Sequence, residues 1–418
     1  MNAAPRGVRL HIGIFGRRNV GKSSLLNALT RQQVSIVSPE PGTTTDPVEK
    51  PMEMLPLGPV LFIDTAGIDD VGALGAQRVD RTMKVLDRTE LAILVLAEEG
   101  LSSLELALLD AFEQRKIPVL ALCNKSDLQP ISDATTDRLV HRGIRVLAIS
   151  ALRGDGLDKV HQALVDLAPD SYLNAPPILS DLVSEGDCAV LVVPVDKEAP
   201  KGRLILPQAQ AVRELLDHDS YAIVVKEREL RDALSRMNRK PALVVTDSQA
   251  FLKVAADTPL DVPLTSFSIL YARQRGDLLE FVRGALAIED LHPGDRVLMA
   301  ESCSHHPIGE DIGRVKIPRW LTQYAGGALD VEHVQGRDFT DDLASYKMVV
   351  HCGSCMLNRR EVLSRIFKCK EAGVPITNYG LAIAYSLGIF ERALGPFPSA
   401  LEAYRQAVAA RNSKTATK

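Results

Sequence analysis

Gly16-Arg17-Arg18-Asn19-Val20-Gly21-Lys22-Ser23 sets two glycines, a lysine and a hydroxyl at the spacing of a phosphate-binding loop. The glycines let backbone N–H groups curl around phosphate oxygens, and the helix that follows turns its positive end toward the same anion. Lys22 is expected to meet the β- and γ-phosphates, Ser23 to ligate Mg²⁺, and Ser24 to continue the nucleotide-binding stretch. An incidental glycine turn is the bland alternative; a strand pattern before and a helix pattern after argue against it.

Further pieces follow in order along the chain. Asp64-Thr65-Ala66-Gly67 closes an apolar run, bringing a carboxylate near Mg²⁺ and the flexible backbone of Gly67 near the γ-phosphate. Asn124-Lys125-Ser126-Asp127 follows the apolar run 119–123. Asp127 can accept from both the ring N–H and the exocyclic amine of guanine, a donor pair that adenine lacks. Ser150-Ala151-Leu152 then closes over the base. Each motif is weak alone, but the ordered set specifies GTP rather than ATP.

A second chemistry sits near the other end, in Cys303-Ser304-His305 and His351-Cys352-Gly353-Ser354-Cys355. Each cluster comes just past an apolar strand pattern, where ligands bind in open α/β sheets, so the two can meet in one crevice. Three thiolates plus a histidine satisfy tetrahedral zinc, and three thiolates also suit a 4Fe–4S cluster with one replaceable corner. Spacing alone does not choose, and the residues by themselves favour structural zinc slightly. The triplet spacing of radical-SAM enzymes is absent. Cys123, Cys188 and Cys369 lie in apolar or helical patterns and are expected to be core thiols.

The elements that must position these residues alternate between strand and helix. Strands are expected over 8–15, 60–63, 91–96, 119–123 and 146–149, with a helix over 23–30 and a helical repeat at Leu157, Val160, Leu164 and Leu167. Such alternation implies a mostly parallel sheet covered on both faces. The fold class is therefore α/β: a nucleotide-binding domain over 1–170, then two smaller α/β domains over 171–262 and 263–418. The stretch 168–180, with three prolines, reads as a linker. In the middle domain strands are expected over 188–195, 221–226 and 242–246, with no chemistry of its own and an expected role in subunit contact. The last domain should open on one helical pattern over 270–286, with strands over 296–300 and 348–350 and a helix over 359–372.

Composition sets the class. With 418 residues, 46% hydrophobic and 24% charged, the chain suits a soluble multidomain protein, not a disordered one. No apolar run approaches the ~18 residues of a membrane span. The beginning, Met1–Gly7, shows no signal-peptide pattern, so a cytoplasmic location without membrane partners is expected. A net charge of −4 and no basic aromatic strip speak against nucleic acid as partner.

On the motifs of its first part, the chain resembles the Era and MnmE (TrmE) group of P-loop GTPases. Gly42-Thr43-Thr44-Thr45-Asp46 resembles their first switch, which implies that Thr44, with Thr43 as competing choice, completes the Mg²⁺ shell. An asparagine at the position of Asn19 accompanies K⁺-dependent hydrolysis in that group, implying a K⁺ site here; a turn-forming residue without an ion is the alternative. Lys22, Asn19 and Thr44 are thus the expected catalytic residues. Ile68 stands where Ras-like GTPases carry a water-orienting glutamine, so the slow turnover of a timer or switch is expected.

Taken whole, the order of GTPase motifs, plain middle module, Cys303-x-His305, a gap of about 45 residues and His351-Cys352-x-x-Cys355 resembles the HydF family, maturation GTPases of FeFe-hydrogenases. The resemblance implies a 4Fe–4S cluster on Cys303, Cys352 and Cys355, with His305 or His351 as a fourth ligand or as its hydrogen-bonding neighbour. It also implies a scaffold and carrier. A di-iron precursor arrives from two radical-SAM maturases and passes to apo FeFe-hydrogenase, and the middle domain mediates dimerisation. The competing class is an RNA- or ribosome-associated GTPase with a C-terminal structural zinc. Asp127→Asn should shift preference from guanine toward xanthine nucleotides in competition binding, and an unchanged preference would remove Asp127 from the base site.

Overall fold

The computed structural model describes residues 4–30, 47–65, 82–96, 100–128, 132–194, 204–302, 311–336 and 339–415. The chain divides into two compact units, Met1–Ala175 and Pro176–Lys418.

In the first unit, β1 (Leu10–Phe15), β2 (Val48–Met54), β3 (Gly58–Asp64), β4 (Leu91–Leu96), β5 (Val119–Cys123) and β6 (Arg145–Ala148) form one sheet in the order β2-β3-β1-β4-β5-β6. Only β2 runs antiparallel to its neighbour; the others are parallel. β1 and β4 are buried at every residue, the reason their sequences read as near-continuous apolar runs. Alternate side chains feed two cores. Leu10, Ile12 and Ile14 pack with Leu25 and Leu26 of helix Lys22–Thr30 and Val160 and Leu164 of helix Leu157–Asp166. Phe15, Leu94 and Leu96 pack on the other face with Leu108, Leu109 and Phe112 of helix Ser103–Gln114.

The expected strand over 8–15 begins only at Leu10, because Arg6–Val8 forms a single 3₁₀ turn after Pro5. The pattern gave no hint of β2: it is a half-exposed edge strand of mixed polarity, and Pro51 is tolerated at such an edge. The expected linker over 168–180 is fastened at both ends. Tyr172 donates to the carbonyls of Leu57 and Pro59 at 3.2 and 3.1 Å. In the second unit the Glu214 carboxylate accepts from the backbone N–H groups of Ile178, Leu179 and Ser180 at 2.8–2.9 Å.

The second unit carries two four-stranded parallel sheets. β7 (Cys188–Val192), β8 (Tyr221–Val225), β9 (Leu243–Thr246) and β10 (Leu264–Ser266) take the order β10-β9-β7-β8. β11 (Arg296–Glu301), β12 (Asp330–Gln335), β13 (Met348–His351) and β14 (Ile376–Asn378) take the order β12-β11-β13-β14. β10 lies beyond the boundary expected at 262 and completes the first of these sheets. One continuous apolar core joins both sheets. The single helix expected over 270–286 is two, Phe267–Arg275 and Leu278–Ala285. Gly276 ends the first, and the Asp277 carboxylate caps the second by accepting from Leu279 N and Glu280 N at 2.9 and 3.2 Å. Arg359 ties the first helix to the last sheet's flank, donating to the carbonyls of Arg273, Gln274 and Gly276 at 3.2, 2.7 and 2.9 Å.

Helix Leu278–Ala285 lies so close to β14 that a Cβ on Gly284 would fall on the Ile376 carbonyl. Gly284→Ala should therefore destabilise the second unit by about 1–3 kcal/mol, the usual scale of overpacking. A lowered melting transition with GTP turnover retained is the expected result.

Candidate functional site

The phosphate loop leaves β1 directly after Phe15 and enters helix Lys22–Thr30. Both of its glycines are required. Gly16 has φ +143° and a Cβ would strike the Val95 carbonyl; Gly21 has φ +95° and a Cβ would strike the Asn124 side chain. Asn19 adopts φ +58° and is exposed, a left-handed conformation that asparagine tolerates better than most residues. Buried Lys22 donates from Nζ to the carbonyls of Gly16 and Arg17 at 2.9 and 2.7 Å, so its ammonium is held across the mouth of the loop.

Ser23 Oγ donates to Asp64 Oδ2 at 2.7 Å, across from the carboxyl end of β3. A hydroxyl and a carboxylate oxygen side by side are the hard donors that suit Mg²⁺. Thr43, Thr44 and Gly67 fall outside the described residues.

Asn124, at the end of β5, works as a staple. Its Nδ2 donates to the Val20 carbonyl at 2.8 Å, and its Oδ1 accepts from Ala151 N at 3.0 Å. One side chain thus joins the phosphate loop to the Ser150-Ala151-Leu152 turn. That turn is closed by Ser150, whose N–H donates to Asp155 O at 3.1 Å and whose Oγ accepts from Arg153 N at 3.2 Å. The hydrogen bond from Ser150, then the charge of Arg153 at 3.5 Å, hold the Asp127 carboxyl below the usual carboxylate range. Asp127 is thereby an ionised acceptor, the state guanine recognition needs. Lys125 takes a left-handed φ of +63°, and Leu152 is almost fully exposed.

One residue of this site was missed in the sequence. The fully buried carboxylate of Glu105 accepts from Arg17 Nε at 2.6 Å and from Ser102 N at 2.9 Å, and Arg17 also donates to the Gly100 carbonyl at 3.0 Å. Glu105 therefore fixes the residue whose own carbonyl receives Lys22. The signal was legible: Ser102-x-x-Glu105 is a capping box opening helix Ser103–Gln114.

The cysteine region forms at the carboxyl ends of β11 and β13. Ser302, the residue before Cys303, contacts Cys352 twice: its N–H donates to Sγ at 3.1 Å and its Oγ lies 2.9 Å from the same sulfur. Ser354 N approaches that sulfur at 3.5 Å, with Ser354 itself at φ +58° in the tight turn. Cys352 and Cys355 are both partly exposed. A sulfur that accepts from backbone N–H groups with a hydroxyl beside it suits a bound thiolate, so these residues fit a thiophilic centre. Cys303, His305 and His306 fall outside the described residues. Among the described residues no three His, Cys, Asp or Glu side chains gather as a metal site. Burial pushes the thiols of Cys123 and Cys369 up to about 11 and about 12, and that of Cys188 upward too, as inert core thiols require.

His351 is wholly buried, its Nδ1 3.0 Å from the Cys352 carbonyl and its Nε2 3.0 Å from Arg365 Nη1. Burial, and then the Arg365 charge, push its pKa down to about 3, so the ring is neutral. Glu301, at the end of β11, is also buried, accepting from Gln335 Nε2 at 3.0 Å with Tyr379 Oη 3.5 Å away.

Comparison with known proteins assigns each part separately. Residues 11–125 match the family model of 50S ribosome-binding GTPases. Residues 178–276 match the hydrogen maturase F dimerization domain, and residues 279–396 match the hydrogen maturase F tetramerization domain. These last two together span most of the second unit and mark it as self-associating. The tRNA modification GTPase MnmE of Bacillus subtilis is 37% identical over 159 residues, 37% of this chain and 33% of that protein. The human mitochondrial 5-taurinomethyluridine-[tRNA] synthase subunit GTPB3 is 38% identical over 177 residues, 38% of this chain and 35% of that protein. The chain spans about a third of the length of these curated relatives. Among solved structures, a point variant of Aquifex aeolicus Era bound to GDP·AlF4⁻ aligns with 60% of this chain and 99% of its own at 21% identity and a TM-score of 0.35. The first unit is a GTPase that binds GTP with Mg²⁺.

Glu105→Gln keeps the shape of the cap and removes the charge that holds Arg17. It should weaken GTP and GDP binding alike, by roughly tenfold for a lost buried charge-assisted contact, with little change in melting temperature. Unchanged affinities measured by fluorescent-nucleotide titration would show that the pair serves only the helix.

Proposed function

Since the chain belongs to the HydF (hydrogen maturase F) family, we propose that it is a GTP-hydrolysing scaffold that carries a 4Fe–4S cluster in its second unit and handles a di-iron precursor as cargo. The cluster would be held by Cys303, Cys352 and Cys355, and it would supply an exchangeable iron corner to which the precursor attaches. The cargo comes from two radical-SAM maturases and leaves to apo FeFe-hydrogenase. The working form is a homodimer or a higher homo-oligomer, in the cytoplasm. Among the described residues no helix is long and apolar enough to cross a membrane.

The observation that carries the reading is the pair of contacts from Ser302 to Cys352 Sγ. They bring the chain immediately before Cys303 against the Cys352 turn, which supports one shared centre for residues about 50 apart. The residues have separable tasks. Ser302 and Ser354 supply donors that stabilise the thiolate of Cys352. Partial exposure of Cys352 and Cys355 leaves room for cargo to approach. His305 or His351 is the candidate for the fourth corner.

In the GTPase unit, Lys22 spreads charge over the β- and γ-phosphates, while Ser23 and Asp64 bind Mg²⁺ with Thr44. Asn19, exposed in the phosphate loop, is the residue that would hold K⁺. K⁺ there would neutralise developing charge as an arginine finger does. Ile68 cannot orient water, so turnover is slow and K⁺-stimulated. GTP state controls docking or release of the maturases, which requires that they bind the two states with different affinity.

Oxygen-free purification followed by iron, sulfide and zinc analysis tests the reading. Brown protein with iron and sulfide in near-equal amounts is expected, and Cys352→Ser should lose both while GTP turnover persists. Stoichiometric zinc without iron contradicts it, and would favour the structural-zinc class of GTPase instead.

A further inference from the structure

We infer that Arg365 is a positioning residue for the Cys352–Cys355 turn, acting through His351, and that His351 is accordingly not a ligand of the iron. The inference rests on the iron-sulfur reading of the site and assigns roles to two residues within it.

Arg365 lies on helix Arg359–Glu371, which begins just after Cys355, and it is almost completely buried. Its guanidinium is fixed from several directions. Nη1 meets His351 Nε2 at 3.0 Å, and Nη2 donates to the Gly336 carbonyl at 2.7 Å. The group stacks over the Phe339 ring with 5.0 Å to the centroid, and the Glu361 carboxylate lies 3.7 Å away. Burying a guanidinium is costly unless its contacts are satisfied, and this one is met on several sides, which fixes its orientation.

The chemistry of the contact sets the histidine's tautomer. A guanidinium only donates, so Nε2 must accept and carries no proton. The proton is then on Nδ1, which donates to the Cys352 carbonyl at 3.0 Å, with Ser354 Oγ also 3.0 Å away. Both ring nitrogens are committed to the protein. Ligation through either one would break a buried contact and swing the ring out of the core. Held in place, the ring instead orients the Cys352 peptide from within.

The same arginine therefore grips both ends of the turn. His351 precedes Cys352, and the helix bearing Arg365 follows Cys355. The turn between them includes Gly353 and the left-handed Ser354 (φ +58°), so its shape is not set by regular backbone pairing. Partners behind the ligands commonly govern how firmly a centre is held. Lysine could keep the charge at this site but not the planar fork that spans His351 and Gly336.

The test uses full-length wild type, Arg365→Lys, His351→Gln and the double variant, each reconstituted without oxygen using ferrous iron and sulfide. Readouts are iron release to a chelator, the EPR signal of the reduced cluster, nitrogen couplings after ¹⁵N-histidine labelling, and GTP turnover as a check on the other unit. Each single variant should release iron roughly tenfold faster, with an altered EPR line shape and wild-type GTP turnover. The double variant should be no worse than the worse single, because both substitutions break one contact. Wild-type iron release and line shape in both single variants overturn the inference, as does a strong histidine-nitrogen coupling that vanishes in His351→Gln. A wild-type chain that takes up no iron overturns the iron-sulfur reading itself, an outcome distinct from either of these.

Discussion

Parallel strands stop pairing at their carboxyl ends, and the chemistry of this chain is placed where they stop. A sheet holds each strand's backbone rigidly until its last hydrogen bond, and the next residue is then free to turn. The described binding loops follow that rule. The phosphate loop leaves β1, Asp64 ends β3, Asn124 follows β5, Ser302 follows β11 and the Cys352 turn leaves β13. β11 and β13 are direct neighbours in register, Ala300 opposite His351, so Ser302 and Cys352 emerge side by side. Separation along the chain ceases to matter once the sheet has formed.

Turns freed in this way need to be held, and buried polar groups do the holding. Glu105 secures Arg17 at the phosphate loop, Asn124 bridges that loop to the base-side turn, and Arg365 with His351 braces the cysteine turn. Each brace is hidden from water, where a charge-assisted hydrogen bond is strong and an unpaired partner is expensive. The two units thus solve one problem twice: how to offer an accessible binding loop without letting it wander.

Much of this was written plainly in the chain. The buried central strands announced themselves as apolar runs, and the GTPase motifs fell at their ends. β2, β10, β12 and β14 were not legible, since β2 and β12 are half-exposed with mixed polarity, and β10 and β14 have only three residues each. The helix over 270–286 read as one because apolar spacing continues through Gly276; only the cap at Asp277 divides it. In the sequence His351 is equally a ligand or a neighbour of the cluster, and no local pattern chooses. The choice depends on Arg365, which is 14 positions away in sequence and adjacent only in the folded unit. The resemblance to the HydF family, by contrast, was legible in the whole order of GTPase motifs, plain middle module and the Cys303–His305 and His351–Cys355 clusters.

The account rests on cysteines from two neighbouring strand ends converging on iron. Crystals grown without oxygen and measured at the iron absorption edge would locate that centre directly. Anomalous iron density bonded to the sulfurs of Cys303, Cys352 and Cys355, with the His351 ring still turned toward Arg365, is the predicted result. Iron-free crystals with zinc-edge density on Cys352 and Cys355, or with Cys303 directed away from them, would contradict it.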